Sequence, residues 1–222
     1  MKLIHRALSG LGLTVVLLSQ VSRAKLAAAP TSQFNSFTDW CLNREKISLP
    51  AKYTVEVLLQ RIGTTECRQA NQRLSHLNEL KIVLSQISDL NPIASLTNLK
   101  ALTLGGNRIS DISPLKSLTN LTELNLPGNR INDVNPLKSL VNLTSLNLAR
   151  NLVSDINPLK SLINLTSLNL ARNLVSDINP LKSLTNLTEL DIQDNPVSSG
   201  ACREIVRPGY AAYASGRIDC RL

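Results

Sequence analysis

The sequence is poor in the residues on which most enzyme and cofactor chemistry depends. Its 222 residues include six aromatic residues, two histidines and one methionine. So few aromatic side chains argue against a cofactor-binding box and against a platform on which nucleic-acid bases stack. Charged residues make up 18% of the chain and hydrophobic residues 43%, which indicates a folded chain with a substantial core rather than a disordered polyelectrolyte.

The first 24 residues predict a secretory signal peptide. Lys2 and Arg6 precede an apolar run over 7–18, and Ser22 and Ala24 occupy the −3 and −1 positions of a cleavage site after Ala24. This order of charged, apolar and small residues is typical of signal peptides, and the run is shorter than the ~20 residues of a membrane-spanning helix. An uncleaved anchor is the alternative. Cleavage would remove three basic and no acidic residues from a chain of formal charge +8, leaving it mildly basic.

One period explains most of the chain. Six copies of a 22-residue repeat start at Leu74, Leu96, Leu118, Leu140, Leu162 and Leu184. The copies that start at Leu140 and Leu162 differ only at Val141 and Ile163. A single copy cannot bury its own apolar residues, so neighbouring copies must stack into one continuous core.

The spacing within a copy predicts the course of each coil. Leu124 and Leu126 alternate as in a short strand with two inward side chains. An asparagine then recurs where the chain must turn, and its amide can satisfy backbone groups of adjacent coils. Further on, Asn135-Pro136 predicts a short 3₁₀ segment capped by the asparagine amide. The asparagines of this predicted ladder are Asn107, Asn129, Asn151, Asn173 and Asn195.

The general form of the copies, LxxLxxLxLxxNxIxDIxPLxx, resembles the leucine-rich repeat family. It is most similar to the 22-residue class found in internalins and in a phosphatase-regulating subunit. The resemblance covers 74–200 and departs at Ser85 and after Val197. It implies an α/β fold: a right-handed solenoid with a parallel concave sheet and short 3₁₀ or turn segments on the convex side.

The concave face is the predicted binding surface. Its candidate residues point outward from the strands by alternation. They are Glu123, Asn125, Ser145, Asn147, Ser167, Asn169, Glu189 and Asp191. The alternative is a solvated sheet without a partner, because Trp, Tyr and Arg, the usual binding hot spots, are missing from it.

The four cysteines flank the repeats and predict two disulfides in the caps. Six stacked strands put the two ends of the solenoid more than ~20 Å apart, whereas a disulfide needs Cα atoms within ~7 Å. Of the three pairings, only Cys41–Cys67 with Cys202–Cys220 meets that limit. A helical N-terminal cap is predicted from Val55, Leu58, Leu59 and Ile62 at helical spacing, with Gly63 as its end.

Other sites are less favoured by the sequence. His76 lies beside no convincing nucleophile or zinc-ligand set, and Glu189, Asp191 and Asp194 suggest a solvated acidic patch. Rows of lysine and aspartate recur once per coil and compensate each other. The Asn-Leu-Thr triplets match glycosylation acceptors only because the repeat recurs. The lysines are Lys116, Lys138, Lys160 and Lys182, and the triplets begin at Asn120, Asn142, Asn164 and Asn186.

The predicted organisation is a signal peptide (1–24), a linker (25–36), a helical cap (37–73), the repeats (74–200) and a C-terminal cap (201–222). The resemblance implies an exported, non-catalytic protein, secreted, periplasmic or on the cell surface. Its partner would be an unidentified protein or surface macromolecule, bound in recognition or adhesion. We expect a monomer with no cofactor, no metal, no specific nucleic acid and no transmembrane span after cleavage. The alternative is a structural, envelope-associated protein held electrostatically by a basic convex face.

Overall fold

A computed structural model describes residues 34–198 of the protein. Within that range, three α-helices precede six short strands, and a 3₁₀ helix follows each of the first five strands. The helices are α1 (Phe37–Leu42), α2 (Leu49–Ile62) and α3 (Cys67–Ser75). The strands β1 to β6 are Glu79–Lys81, Ala101–Thr103, Glu123–Asn125, Ser145–Asn147, Ser167–Asn169 and Glu189–Asp191. The 3₁₀ helices are Asn91–Ile93, Ser113–Ser117, Asn135–Ser139, Asn157–Ser161 and Asn179–Ser183.

The strands form one open parallel sheet in sequence order, β1 to β6. Each strand pairs with the next at an offset of one repeat, so that Leu102 is opposite Leu124 and Leu124 is opposite Leu146. The predicted fold is confirmed: a parallel sheet forms one side of every coil, and short 3₁₀ helices form its return.

A single core runs from the N-terminal helices through all the coils. The third coil has seven apolar residues at repeat positions, and all are buried, with at most 1% of each side chain exposed. They are Leu118, Leu121, Leu124, Leu126, Ile131, Val134 and Leu137. Stacked in this way, each coil supplies the apolar surface that its neighbour needs.

Helix α2 covers the apolar end of the first coil. It begins after Ser48, whose Oγ accepts a hydrogen bond from the Ala51 N–H at 3.2 Å. It ends at Gly63, whose φ of +70° is in the left-handed region that favours glycine. The buried Thr54 hydroxyl donates to the Asp89 carbonyl at 2.7 Å and ties the helix to that coil. The predicted helical segment and its end are therefore present.

The disulfide between Cys41 and Cys67 is confirmed and joins α1 to α3. Helix α3 continues through Leu74, so the last turn of the helical region and the start of the first predicted copy share residues. The predicted signal peptide, the C-terminal cap and the Cys202–Cys220 pair lie outside the described residues. No helix in the part described is long and apolar enough to cross a bilayer.

The predicted cap of the 3₁₀ helices is wrong. Val134, not Asn135, occupies the cap position, and no side chain caps that helix. Instead Asp133 Oδ1 accepts hydrogen bonds from the backbone N–H of Asn135 at 2.8 Å and from its Nδ2 at 2.7 Å. A carboxylate accepts two hydrogen bonds more strongly than a neutral amide does, so the aspartate organises the turn. The same backbone bond recurs at Asp89, Asp111, Asp155 and Asp177.

Candidate binding surface

The outer side of the sheet is uncovered. In β4, Leu146 is buried whereas Ser145 and Asn147 on either side of it are half-buried. Glu123 and Glu189 are exposed. Among the described residues, each strand pairs with its neighbours in the sheet, and the outward side chains of the strands are exposed or half-buried. We call this surface the sheet face, comprising Glu123, Asn125, Ser145, Asn147, Ser167, Asn169, Glu189 and Asp191.

Hydrogen bonds order one row of the sheet face. Asn147 Oδ1 accepts from the N–H of Ala149 at 2.9 Å, and Asn169 Oδ1 accepts from that of Ala171 at the same distance. Asn169 Nδ2 also donates to Asp191 Oδ2 at 3.1 Å, across the gap between two coils. Side chains held in this way lose less conformational entropy when a partner binds.

Asn125 breaks the pattern of its row. The residue two positions on is Pro127, which has no N–H to donate. Asn125 Oδ1 is buried and has no hydrogen-bond partner. Pro127 also lies against Gly105, where a Cβ atom would approach the proline Cγ to 3.1 Å. The sequence carries the signal for this exception, a proline two residues after the asparagine in one copy alone, but our sequence analysis did not use it.

The outward positions of the strands carry an excess of negative charge. They include four carboxylates and one lysine, namely Glu79, Glu123, Glu189, Asp191 and Lys81. No ion pair neutralises these groups within the described range. A partner that presents basic or hydrogen-bond-donating groups would be complementary to this surface.

The asparagines predicted as a ladder have a structural role. Asn129 Oδ1 accepts from the Ile109 N–H at 3.1 Å, and its Nδ2 donates to the Leu104 and Leu126 carbonyls at 3.0 Å each. One side chain thus satisfies backbone groups of two coils in the interior, where an unpaired group would be costly. Asn107, Asn151 and Asn173 are buried and bond in the same way, and Asn195 does so half-buried.

The Asn-Leu-Thr triplets form further ladders at the edge where the strands begin. Asn142 Nδ2, the atom to which a glycan would be attached, donates to the Thr119 carbonyl of the preceding coil at 2.9 Å. The hydroxyl of Thr144 donates to the Thr122 carbonyl at 3.1 Å. Equivalent bonds form at Asn120, Asn164 and Asn186. The triplets therefore recur because they join coils.

The lysine and aspartate rows lie on the same side of each coil. Lys138 is within the 3₁₀ helix Asn135–Ser139, and Asp133 immediately precedes that helix. Four lysines face five aspartates in these two rows. The side of the coils that the 3₁₀ helices form, predicted to be convex, therefore carries no excess of positive charge from them, which weakens the case for an envelope protein held by that side.

Comparison with known proteins agrees with this geometry. A family model for leucine-rich repeats, built from two copies, matches residues 119–161 and 163–199. The repeats of this chain are leucine-rich repeats. A search among curated proteins finds no significant match.

Two solved structures similar to this leucine-rich repeat protein are internalins from Listeria monocytogenes. One, InlF, is 41% identical with a TM-score of 0.55, and the match covers 56% of this chain and 36% of the InlF chain. The other, internalin C2, is 35% identical with a TM-score of 0.54, over 66% of this chain and 56% of its own. The match therefore spans about a third of the first protein and slightly more than half of the second.

Catalytic chemistry has no support from the described part of this leucine-rich repeat protein. His76 Nδ1 lies 2.6 Å from the Gln72 carbonyl, a contact that requires the nitrogen to carry the proton. It therefore cannot accept a proton from the Ser75 hydroxyl, which is 3.5 Å away and also bonds to Gln72. Residues 34–198 contain no group of three or more acidic, histidine or cysteine side chains placed to hold a metal ion.

Proposed function

We propose that this chain is an exported, non-catalytic leucine-rich repeat protein that binds another protein through its sheet face. The observation that carries the proposal is the sheet face itself, which is uncovered, polar and partly ordered by hydrogen bonds. Leucine-rich repeat proteins of the internalin type mediate protein–protein interactions. Recognition or adhesion at a surface is the role we infer for this one.

Two features support export. The N-terminal 24 residues have the order of a signal peptide. The Cys41–Cys67 disulfide belongs to a class of bond that persists in oxidising compartments.

The charge of the sheet face defines the chemistry of the partner. Glu123, Glu189 and Asp191 lie on it without a cation to neutralise them in the described structure. We expect the partner to contribute lysine, arginine or amide donors, and association to slow as ionic strength rises.

The test uses two serines of the face. Ser145 and Ser167 are half-buried, one above the other in β4 and β5, and neither hydroxyl bonds to another described residue. Changing both to arginine adds bulk and positive charge to the centre of the face without removing a hydrogen bond. The matched control changes Ser154 and Ser176 to arginine. These serines are exposed and lie in the same two coils, beyond the ladder asparagines.

The assay is affinity capture from surface-exposed proteins, with the captured proteins identified by mass spectrometry. We expect the unaltered chain and the control variant to retain the same protein and the Ser145→Arg/Ser167→Arg variant to lose it. Equal retention by both variants would contradict binding through the sheet face.

A further inference from the structure

A second surface lies where the strands end. In each coil the two residues that flank the ladder asparagine, or Ser85 in the first coil, are at this edge, and we call these positions the turn edge. They comprise Leu84, Gln86, Gly106, Arg108, Gly128, Arg130, Arg150, Leu152, Arg172, Leu174, Asp194 and Pro196. Four consecutive coils each contribute one exposed arginine to it: Arg108, Arg130, Arg150 and Arg172.

These arginines lie in consecutive coils and are mostly unpaired. Arg172 Nε bonds to Asp194 Oδ2 of the next coil at 3.0 Å, which shows that this position contacts its equivalent one repeat away. The other three guanidinium groups make no ion pair or hydrogen bond with any described residue. At ~4.8 Å per coil, the four span about 15 Å.

The positive charge is concentrated at this edge. Residues 74–198 contain ten basic and ten acidic residues, so the repeats are neutral overall. The turn edge has four arginines and one aspartate. The opposite edge is uncharged at the two positions occupied by Thr119 and Asn120 in the third coil. The equivalent pairs in the next three coils are also uncharged. The repeats are therefore polarised from one edge to the other.

Two of these arginines hold a backbone conformation that favours glycine. Arg150 and Arg172 have a φ of +58°, whereas the equivalent residues of the two preceding coils are Gly106 and Gly128. An arginine in this region is strained relative to glycine. Glycine would adopt this turn without strain, and strained residues of this kind are found where a side chain has a function.

Exposed leucines accompany the arginines. Leu152 and Leu174 are 50% and 54% exposed, and each lies two residues after an arginine. Leu84, at the same edge of the first coil, is 80% exposed. Guanidinium groups bind phosphate with matched geometry, and exposed aliphatic side chains gain from entering an apolar phase. The two requirements are met together at the headgroup–acyl boundary of a phospholipid bilayer.

We propose that the turn edge docks this protein onto an anionic phospholipid surface. Arg108, Arg130, Arg150 and Arg172 bind the phosphates, and Leu152 and Leu174 enter the boundary with the acyl chains. The inference does not depend on the sheet face having a partner, because the two surfaces use different residues.

The test places a tryptophan reporter on each edge of the same coil. Leu152→Trp reports from the turn edge. Val141→Trp reports from the opposite edge, where the side chain is 45% exposed. The native Trp40 is buried and is common to both variants. Each variant is mixed with phosphatidylcholine vesicles, with and without phosphatidylglycerol, that contain brominated lipid as a quencher. The apolar segment 7–18 is present throughout, so its contribution cancels in the comparison.

We expect brominated lipid to quench the tryptophan fluorescence of the Leu152→Trp variant but not that of the Val141→Trp variant. Quenching should occur only in vesicles that contain phosphatidylglycerol, and high salt should reverse it. The vesicle partition coefficient should fall about fivefold for each arginine changed to glutamine. Equal quenching at the two positions, or unchanged partition of the variant with all four changes, would overturn the proposal. Arginine-dependent binding to heparin without quenching at position 152 would also overturn it and assign the edge to a soluble polyanion.

Discussion

Asn125 and Asn147 provide a direct test of how the sheet face is held. They occupy the same position in neighbouring strands, but only Asn147 accepts a hydrogen bond from the residue two positions on. Asn147→Ala leaves the N–H of Ala149 without its partner, which should cost about 1 kcal/mol. Asn125→Ala removes an acceptor that is already buried and unpaired. That change should be nearly neutral or stabilising, since burial of an unpaired group itself costs about 1–3 kcal/mol.

The measurement is urea denaturation of both variants and the unaltered chain, with the free energies compared only if the slopes agree. A gap of about 1 kcal/mol or more between the two variants is expected, corresponding to roughly 2–4 °C in Tm for a chain of this size. Pro127→Ala supplies the missing N–H, which can donate to Asn125 Oδ1. In that background Asn125→Ala should lower the free energy of unfolding by about as much as Asn147→Ala does in the unaltered chain. Equal losses for the two single variants, or no change in the Pro127→Ala background, would refute the reasoning.

Two further predictions concern the ladder and the cap. Asn151→Ala leaves the Ile131 N–H unpaired in the interior and removes one of the two amide hydrogen bonds that each of the Leu126 and Leu148 carbonyls accepts. It should lower the free energy of unfolding in urea by about 1–3 kcal/mol, and a loss no larger than that of the half-buried Asn195→Ala would argue against the ladder's role. A hydrogen bond from the Ser36 hydroxyl, with those from the Ser36 and Asn35 N–H groups, lowers the pKa of Asp39 below its usual 3.8. The ionised carboxylate of Asp39 therefore stabilises the fold above about pH 3.8, and this stability is lost as the pH falls through the lowered pKa. The free energy of unfolding of the native chain should then approach that of the Asp39→Asn variant at low pH. A difference between the two that stays constant from pH 7 to pH 2 would disprove this.

The repeat period predicted most of the fold because burial dictates it. A side chain such as Leu124 recurs every 22 residues, and only stacked coils bury all its equivalents. The cap of the 3₁₀ helix could not be chosen from the period, because Asp133 and Asn135 recur together and either could accept the hydrogen bond. Their relative strength as acceptors decides it, and the structure shows the aspartate in that role.

The candidate surfaces were harder to predict because the alternation of a strand shows which side chains point outward but not what holds them. The alternation of the strands predicts Asn147 and Asn169 on the sheet face, but their bonds to the following turn are visible only in the structure. The repeat period reveals the lysine and aspartate rows but not the arginine row. The reason is that Arg130 follows its ladder asparagine whereas Arg150 precedes its own, so no single repeat position contains all four arginines.

Comparison of the coils with one another suggests where function lies. The residues that recur in nearly every coil, such as Asn129, Asp133 and Thr144, have side chains engaged in hydrogen bonds within or between coils. The positions that change from coil to coil are not required for these hydrogen bonds. Glu123 and Glu189 alternate with Ser145 and Ser167 on the sheet face, and none of the four side chains bonds to a described residue. The turn edge varies in the same way, between glycine, arginine and leucine. Selection for stacking alone would leave these positions unconstrained, so the charge gathered at them, negative on the face and positive at the edge, supports the two binding surfaces that we propose.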